Sequence, residues 1–127
     1  MPETEEAERL AARVRRALES GDPAAYGELL DPKVTWGAPG YAPTCRNRDQ
    51  VLAWYRRGRD SGARATVDEV TIAAGCLLVG LTVTGRDPDA PGAQERRWQV
   101  LTTKDGRITD IVGYDNRPQA AARAGLG

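Results

Sequence analysis

The chain has 127 residues, a length typical of one domain with its own buried core. Its 18 Lys and Arg residues balance its 18 Asp and Glu residues, which argues against nucleic acid or an anionic membrane as a partner, because both attract a basic excess. Histidine is absent, so Ser-His-Asp catalysis, Cys-His catalysis and histidine-ligated metals are excluded.

Three helices are predicted ahead of the main sheet. The first helix ends at Gly21 and has one apolar face, formed by Leu10, Val14, Ala17 and Leu18. Asp22-Pro23 is typical of an N-cap followed by a first helical position, so a second helix follows. The segment Asn47-Arg48-Asp49-Gln50 resembles a capping box and begins a third helix, which Gly58 is expected to end.

The predicted strands come mostly after these helices. A short strand at Val34–Trp36 precedes the third helix, and four more follow it, at Ala65–Ala73, Cys76–Thr84, Trp98–Thr103 and Arg107–Tyr114. Asn116 is placed to cap a short C-terminal helix. Helices followed by an antiparallel meander predict an α+β fold in which the helices cover one face of the sheet.

The last two strands flank Lys104-Asp105-Gly106, and an Asp-Gly step between apolar strands is a strong hairpin signal. On the strand before this turn, Trp98 and Val100 lie on the face opposite Gln99. With Val112 and Tyr114 they form an apolar surface that is not expected to face water. We therefore expect a homodimer that forms through Trp98, Val100, Val112 and Tyr114.

The sequence also predicts a cytoplasmic protein. No apolar run is long enough to span a membrane, and the acidic N-terminus lacks the apolar segment of a signal peptide. Cys45 and Cys76 are expected to be reduced thiols. Because two cysteines without histidine do not form a usual zinc site, we expect no metal and no cofactor. The basic clusters Arg56-Arg57-Arg59 and Arg96-Arg97 lie near acidic residues and are interpreted as solvated surface.

Several short motifs, in this order, resemble the nuclear transport factor 2-like superfamily and in particular its SnoaL-like branch. The matching segments are Ser20-Gly21-Asp22, Asp31-Pro32-Lys33-Val34-Thr35-Trp36, Arg48-Asp49-Gln50-Val51 with Trp54-Tyr55, Thr103-Lys104-Asp105-Gly106-Arg107-Ile108, and Tyr114-Asp115-Asn116-Arg117. The resemblance implies one domain over residues 1–127. It also implies a cone-shaped α+β barrel, with N-terminal helices packed on a strongly bent, mostly antiparallel sheet and a pocket between them. Such proteins are commonly homodimers, and they include ketosteroid isomerases, polyketide cyclases and an epoxide hydrolase type.

The acid/base groups of these relatives are missing at the matching positions. The isomerase base falls on Ala38, its oxyanion-hole tyrosine on Val14 and its second acid on Gln99. The late carboxylate of cyclases and epoxide hydrolases falls on Gly113, which leaves Asp110 and Asp115 as open substitutes. If Gln99 and Gly113 face one cavity, a three-residue loop Lys104–Gly106 with a bulge at Gly106 would pair Gln99 with Ile111, Leu101 with Thr109 and Arg97 with Gly113.

The candidate site follows from strand and helix parity together with the resemblance. Asp115 and Tyr55 are the candidate catalytic residues, and the candidate ligand-binding residues are Trp36, Trp54, Tyr55, Val79, Leu81, Gln99, Leu101 and Ile111. For most of these side chains, plain core packing is an equal alternative. Gln99 either bonds Tyr55 or another internal group, or orients a ligand, because an unpaired buried amide costs about 1–3 kcal/mol.

Two functions remain open from the sequence. The first is an isomerase, cyclase or hydrolase acting on an apolar cyclic molecule, with Asp115, Asp110, a tyrosine or water as the base. The second is a non-catalytic dimeric domain that binds a small apolar molecule or a protein. The missing acid/base groups support the second function, and the fold resemblance supports the first.

Overall fold

The computed structural model describes residues 2–85, 89–90 and 92–126. This part of the chain contains four helices and five strands. They are α1 (Pro2–Ser20), α2 (Pro23–Glu28), β1 (Leu30–Gly37), α3 (Arg48–Asp60), β2 (Arg64–Ala73), β3 (Cys76–Thr84), β4 (Gln94–Lys104), β5 (Arg107–Tyr114) and α4 (Arg117–Ala124). In the described residues, no helix is both long and apolar enough to cross a membrane.

The five strands form one mixed sheet in the order β1-β5-β4-β3-β2. β1 runs parallel to β5, and the other three pairs are antiparallel. The helices pack on this sheet, so the predicted α+β class is confirmed, although β1 and β2 remain as two edges and the sheet does not close. β1 is longer than the predicted Val34–Trp36 because it begins at Leu30 and accommodates Pro32 at an irregularity in its pairing with β5.

Side-chain caps begin three of the helices, as the sequence predicts. The Asp22 carboxylate accepts a hydrogen bond from the Ala24 N–H, and Asn116 caps α4 in the same manner. Asn47 Oδ1 accepts from the Gln50 N–H at 2.9 Å, while Gln50 Oε1 accepts from the Arg46 N–H at 2.7 Å. α3 continues past Gly58 to Asp60, because the Gly58 backbone is compatible with the helix.

The main core lies between α1, α2 and α3 and the inner face of the sheet. Val14 of α1 and Val51 of α3 are fully buried there. They pack in the same cluster as the inward-facing residues of the central strands, which include Leu77, Val79, Leu81, Leu101 and Ile111. The inner face of the sheet is therefore apolar along most of its length, as the alternation in β3 predicts.

The β4–β5 hairpin has a different register from the predicted one. Asp105 (φ 53°) and Gly106 (φ 76°) form a two-residue turn with both residues left-handed, as a type I′ turn requires. The extra residue lies within β5, at Thr109, between the pairs Thr102–Asp110 and Thr103–Ile108. The predicted three-residue loop and its pairs are wrong, but Gln99 and Gly113 do lie on one face because they are direct partners.

The outer face of the sheet carries a second apolar cluster. Trp98, Val100 and Tyr114 are buried there, with Val112 partly buried beside them. They pack against Ala120, Ala121 and Ala124 of the same chain, on α4. α4 already shields this surface from water, so the reason given for a dimer through Trp98, Val100, Val112 and Tyr114 is wrong, while the dimer itself stays a prediction.

Candidate functional site

A cavity of about 500 Å³ opens between the helices and the inner face of the sheet. Leu18 of α1, Tyr26 of α2 and Leu81 and Val83 of β3 supply apolar lining. The cavity continues past Gln99 on β4 to Gly113 on β5. Its size is within the range of small-molecule pockets, and its lining is mostly apolar with a few polar groups.

Two tryptophans line the cavity near its exposed end. Trp36 is the penultimate residue of β1, and Trp54 lies on α3 with 45% of its surface exposed. The ring centroids are 6.1 Å apart at an interplanar angle of 83°, which is a favourable edge-to-face arrangement. The guanidinium of Arg57 lies 5.6 Å from the centroid of the Trp54 ring. Both predicted tryptophans therefore present apolar surface to the cavity.

Tyr55 contributes a hydroxyl group to the same space. Its ring packs on Tyr26 with 4.9 Å between centroids, and its Oη donates to the Ala17 carbonyl at 3.4 Å. Burial raises the pKa of Tyr55, although the nearby Arg59 lowers it in part, and burial also raises the pKa of Tyr26. Both phenols therefore stay protonated at neutral pH, where they can donate hydrogen bonds but cannot act as bases.

Gln99 is the least satisfied polar side chain in the lining. Its Oε1 is buried and has no hydrogen-bond partner among the described residues. Of the two sequence-based alternatives, a bond between Oε1 and Tyr55 does not form, because the Tyr55 hydroxyl is directed to Ala17. A buried acceptor without a donor costs about 1–3 kcal/mol. A ligand that donated a hydrogen bond to this oxygen would remove that cost.

The two aspartates considered as substitute bases lie outside the lining. Asp115 has 85% of its side chain exposed and forms an ion pair with Arg97 at 2.9 Å. Asp110 accepts a hydrogen bond from the Thr35 hydroxyl on β1. At Gly113, a Cβ atom would have only Arg97 Nη2 nearby, at 4.0 Å. The lining residues that the structure describes therefore include no carboxylate.

The structure separates the predicted ligand-binding residues into two groups. Trp36, Trp54, Tyr55, Leu81 and Gln99 line the cavity. Val79, Leu101 and Ile111 are completely buried in the core, and they are not part of the lining. They pack in the same buried cluster as Leu81, which does line the cavity.

Sequence reasoning missed four arginines that line the cavity. They are Arg57, Arg59, Arg64 and Arg97. The signal was present in the clusters Arg56-Arg57-Arg59 and Arg96-Arg97, which were interpreted as solvated surface. Arg56 and Arg96 fit that interpretation, since both are exposed and outside the lining, whereas Arg57 is exposed and also lines the cavity. Within the described part of the chain, no three His, Cys, Asp or Glu side chains are grouped as metal ligands.

Comparison with known proteins relates this fold to one family and to several solved structures. The SnoaL-like domain family matches residues 11–111. No curated protein is significantly similar in sequence. An LEH-like epoxide hydrolase from M. tuberculosis is 19% identical, with a TM-score of 0.67 over 95% of this chain and 92% of that one.

Two further structures extend the comparison. An NTF2-like protein of unknown function from Mesorhizobium loti is 21% identical, with a TM-score of 0.70 over 89% of this chain and 93% of that one. A protein of ketosteroid isomerase-like fold from Catenulispora acidiphila, solved with trimethylamine, is 20% identical, with a TM-score of 0.67 over 93% of each chain. At these identities the similarity establishes the fold alone, so the activity has to be argued from the residues of the site.

Proposed function

This chain belongs to the SnoaL-like domain family, and from that premise we propose that it binds a small, largely apolar molecule in the cavity between α3 and the inner face of the sheet. Trp36, Trp54, Tyr55 and Leu81 would contact the body of the ligand, and Gln99 would fix its orientation. Val79, Leu101 and Ile111 would act only through the walls that they support.

The observation that carries this proposal is the buried Oε1 of Gln99, which has no partner among the described residues. An apolar cavity does not explain why an amide should be retained there, because the amide destabilises the free protein. A ligand hydroxyl can both donate and accept, so it would satisfy the amide in either orientation of its O and N atoms. Binding of such a ligand would then recover the free energy that the unpaired Gln99 amide costs the free protein.

Catalysis is a second candidate function, supported by Tyr55. Tyr55 lines the same cavity as Gln99 and its hydroxyl is protonated, so it could donate a hydrogen bond to negative charge that develops in an isomerase, cyclase or hydrolase reaction. No carboxylate is present in the described lining, so the substrate or a water molecule would have to supply the base. We therefore place binding first.

The test is a thermal-shift screen of steroids, terpenoids and aromatic polyketides, followed by mass spectrometry of the same mixtures. A ligand stabilises the folded protein by RT ln(1 + [L]/Kd), so a saturable rise in Tm measures binding. Binding with an unchanged ligand mass supports the binding function, and a changed mass supports catalysis. If no compound in these classes raises Tm, the proposal is contradicted.

A substitution at Gln99 tests directly whether its unpaired oxygen serves a ligand. Gln99→Leu removes the unsatisfied oxygen, so the free protein should become more stable by about 1 kcal/mol or more. The same variant should bind any ligand found in the screen at least about fivefold more weakly. Gln94→Leu is the control, because Gln94 is exposed at the start of the same strand and outside the lining. Equal effects of the two substitutions would contradict a role for Gln99.

A further inference from the structure

The charge of the cavity lining is one-sided. Arg57, Arg59, Arg64 and Arg97 all line the cavity, and none of the described lining residues is acidic. Arg97 is paired with the carboxylates of Asp115 and Glu95, at 2.9 and 3.9 Å. Among the described residues, no carboxylate forms an ion pair with the other three arginines. Arg57, Arg59 and Arg64 therefore give the cavity lining a positive charge, in a chain whose total charge is zero.

The guanidinium of Arg59 packs against Gly21, the residue that follows α1. A Cβ atom at Gly21 would lie within 1.9–2.2 Å of three guanidinium atoms of Arg59, so any other residue there would displace this guanidinium from its present position. The adjacent Asp22 directs its carboxylate to the Ala24 N–H, where it caps α2. This carboxylate is thus engaged by the helix, although it is near enough to raise the pKa of Tyr55, and Arg59 lines the cavity beside Tyr55.

Arg97 is the arginine nearest to the centre of the sheet. It lies on β4 two residues before Gln99, so both side chains are on the inner face. Its Nη2 lies 4.0 Å from the position that a Gly113 Cβ would occupy. The ion pair with the exposed Asp115 orients this guanidinium from the solvent side. A carboxylate at residue 113 would neutralise it from the cavity side, and glycine leaves that side open.

From these contacts we propose that the ligand of this cavity is an apolar organic anion: a carboxylic acid whose carboxylate meets the arginines and whose hydroxyl, on the far side of an apolar body, meets Gln99. This inference rests on the proposed binding function and narrows it to one substrate class. Hydrogen bonds from guanidinium groups to a carboxylate are charge-assisted and stronger than neutral ones. The partly enclosed site screens them less than open solvent does.

The experiment compares two ligands of equal shape by isothermal titration calorimetry. The probes are a hydroxynaphthoate, with carboxylate and hydroxyl at opposite ends of the ring system, and the corresponding neutral hydroxynaphthamide. We expect the carboxylate to bind at least about tenfold more tightly at low salt, and the ratio to fall as salt is added. Equal affinities overturn the inference and leave the binding function intact. If neither compound binds at millimolar concentration, this inference is overturned, and the thermal-shift screen decides the binding function separately.

Two pairs of variants assign the effect to the arginines. Arg59→Gln should reduce the ratio of the two affinities at least about fivefold, whereas Arg56→Gln, an exposed arginine on the same helix outside the lining, should not change it. The side chains introduced by Gly113→Asp and Gly113→Asn have the same shape and differ in charge. Only Gly113→Asp should weaken the binding of hydroxynaphthoate relative to Gly113→Asn, by about tenfold. The binding of hydroxynaphthamide should change equally in the two variants. If Arg59→Gln does not fold, the Gly113 pair still decides. An unchanged ratio in Gly113→Asp overturns the inference.

Discussion

Replacing Gly80 with alanine places a methyl group against the ring of Trp98. The two residues are partners in the β3–β4 register. A Cβ atom at Gly80 would lie 2.4, 2.9 and 2.9 Å from three carbon atoms of the ring, whereas carbon atoms in contact are normally about 3.5–4.0 Å apart. The ring has little freedom to move away, because the alanines of α4 belong to the same buried cluster.

The expected cost is the difference between two terms. Overpacking a buried site typically costs about 1–3 kcal/mol, and replacing glycine within a strand returns about 0.5–1 kcal/mol of backbone entropy. The net loss in the free energy of unfolding is then about 1–2 kcal/mol, or about 3–10 °C in Tm for a domain of this size.

Gly113→Ala is the matched control, since Gly113 is also a strand glycine. Its added methyl group would have only the flexible end of Arg97 nearby, at 4.0 Å, so we expect unchanged or slightly increased stability. Urea unfolding followed by circular dichroism measures both variants. A double-mutant cycle with Trp98→Leu should show a favourable coupling, because the smaller side chain relieves the contact. If Gly80→Ala is as stable as Gly113→Ala, the close packing of Trp98 on β3 is refuted.

Three further predictions concern the pH dependence, a helix cap and the boundary between core and cavity. The hydrogen bonds from Arg117 hold the pKa of Glu69 at about 2, below its unfolded value, so their contribution is present above about pH 4.5 and is lost as the pH falls toward 2. The stability difference between wild type and Glu69→Gln, about 1 kcal/mol near neutral pH, should therefore vanish in acid unfolding titrations; a constant difference would contradict the pairing. Asn47→Ala should cost about 1 kcal/mol in chemical denaturation by removing the cap of α3, and a neutral result would show that Gln50 N–H needs no partner. Leu101→Ala should cost about 2–5 kcal/mol, and Leu81→Ala should lie at the low end of that range because it borders an existing cavity; the reverse order of midpoints would contradict the assignment of Leu101 to the core.

Most of the fold follows from local signals in the sequence. The period of the apolar residues in α1 and their alternation in β3 reflect which face each element buries, and Asp22, Asn47 and Asn116 cap the helices that they were expected to begin. The hairpin register does not follow, because the bulge at Thr109 has no distinctive residue type. Its position depends on matching the inner faces of β4 and β5 across the whole sheet.

The candidate site divides in the same way. The inward orientation of Trp36, Tyr55 and Gln99 could be predicted from strand and helix periodicity together with the family resemblance, because periodicity fixes which residues share a face. The four arginines could not, since a long charged side chain reaches either solvent or a cavity according to what packs beside it. Arg59, for example, packs its guanidinium against Gly21, which is distant in sequence. The docking of α4 was also hidden, because its buried residues are alanines with little apolar signal.

The position of α4 has a consequence for self-association. Only Asp115 and Asn116 separate this helix from β5, so the tether holds it against the outer face at an effective concentration of millimolar order. A second copy of the chain can reach Trp98, Val100 and Tyr114 only by competing with that helix. At ordinary protein concentrations such competition fails unless the incoming surface binds far better than three alanines do, or unless two chains exchange their C-terminal helices. The short tether thus favours occupation of the outer face by α4 of the same chain at equilibrium.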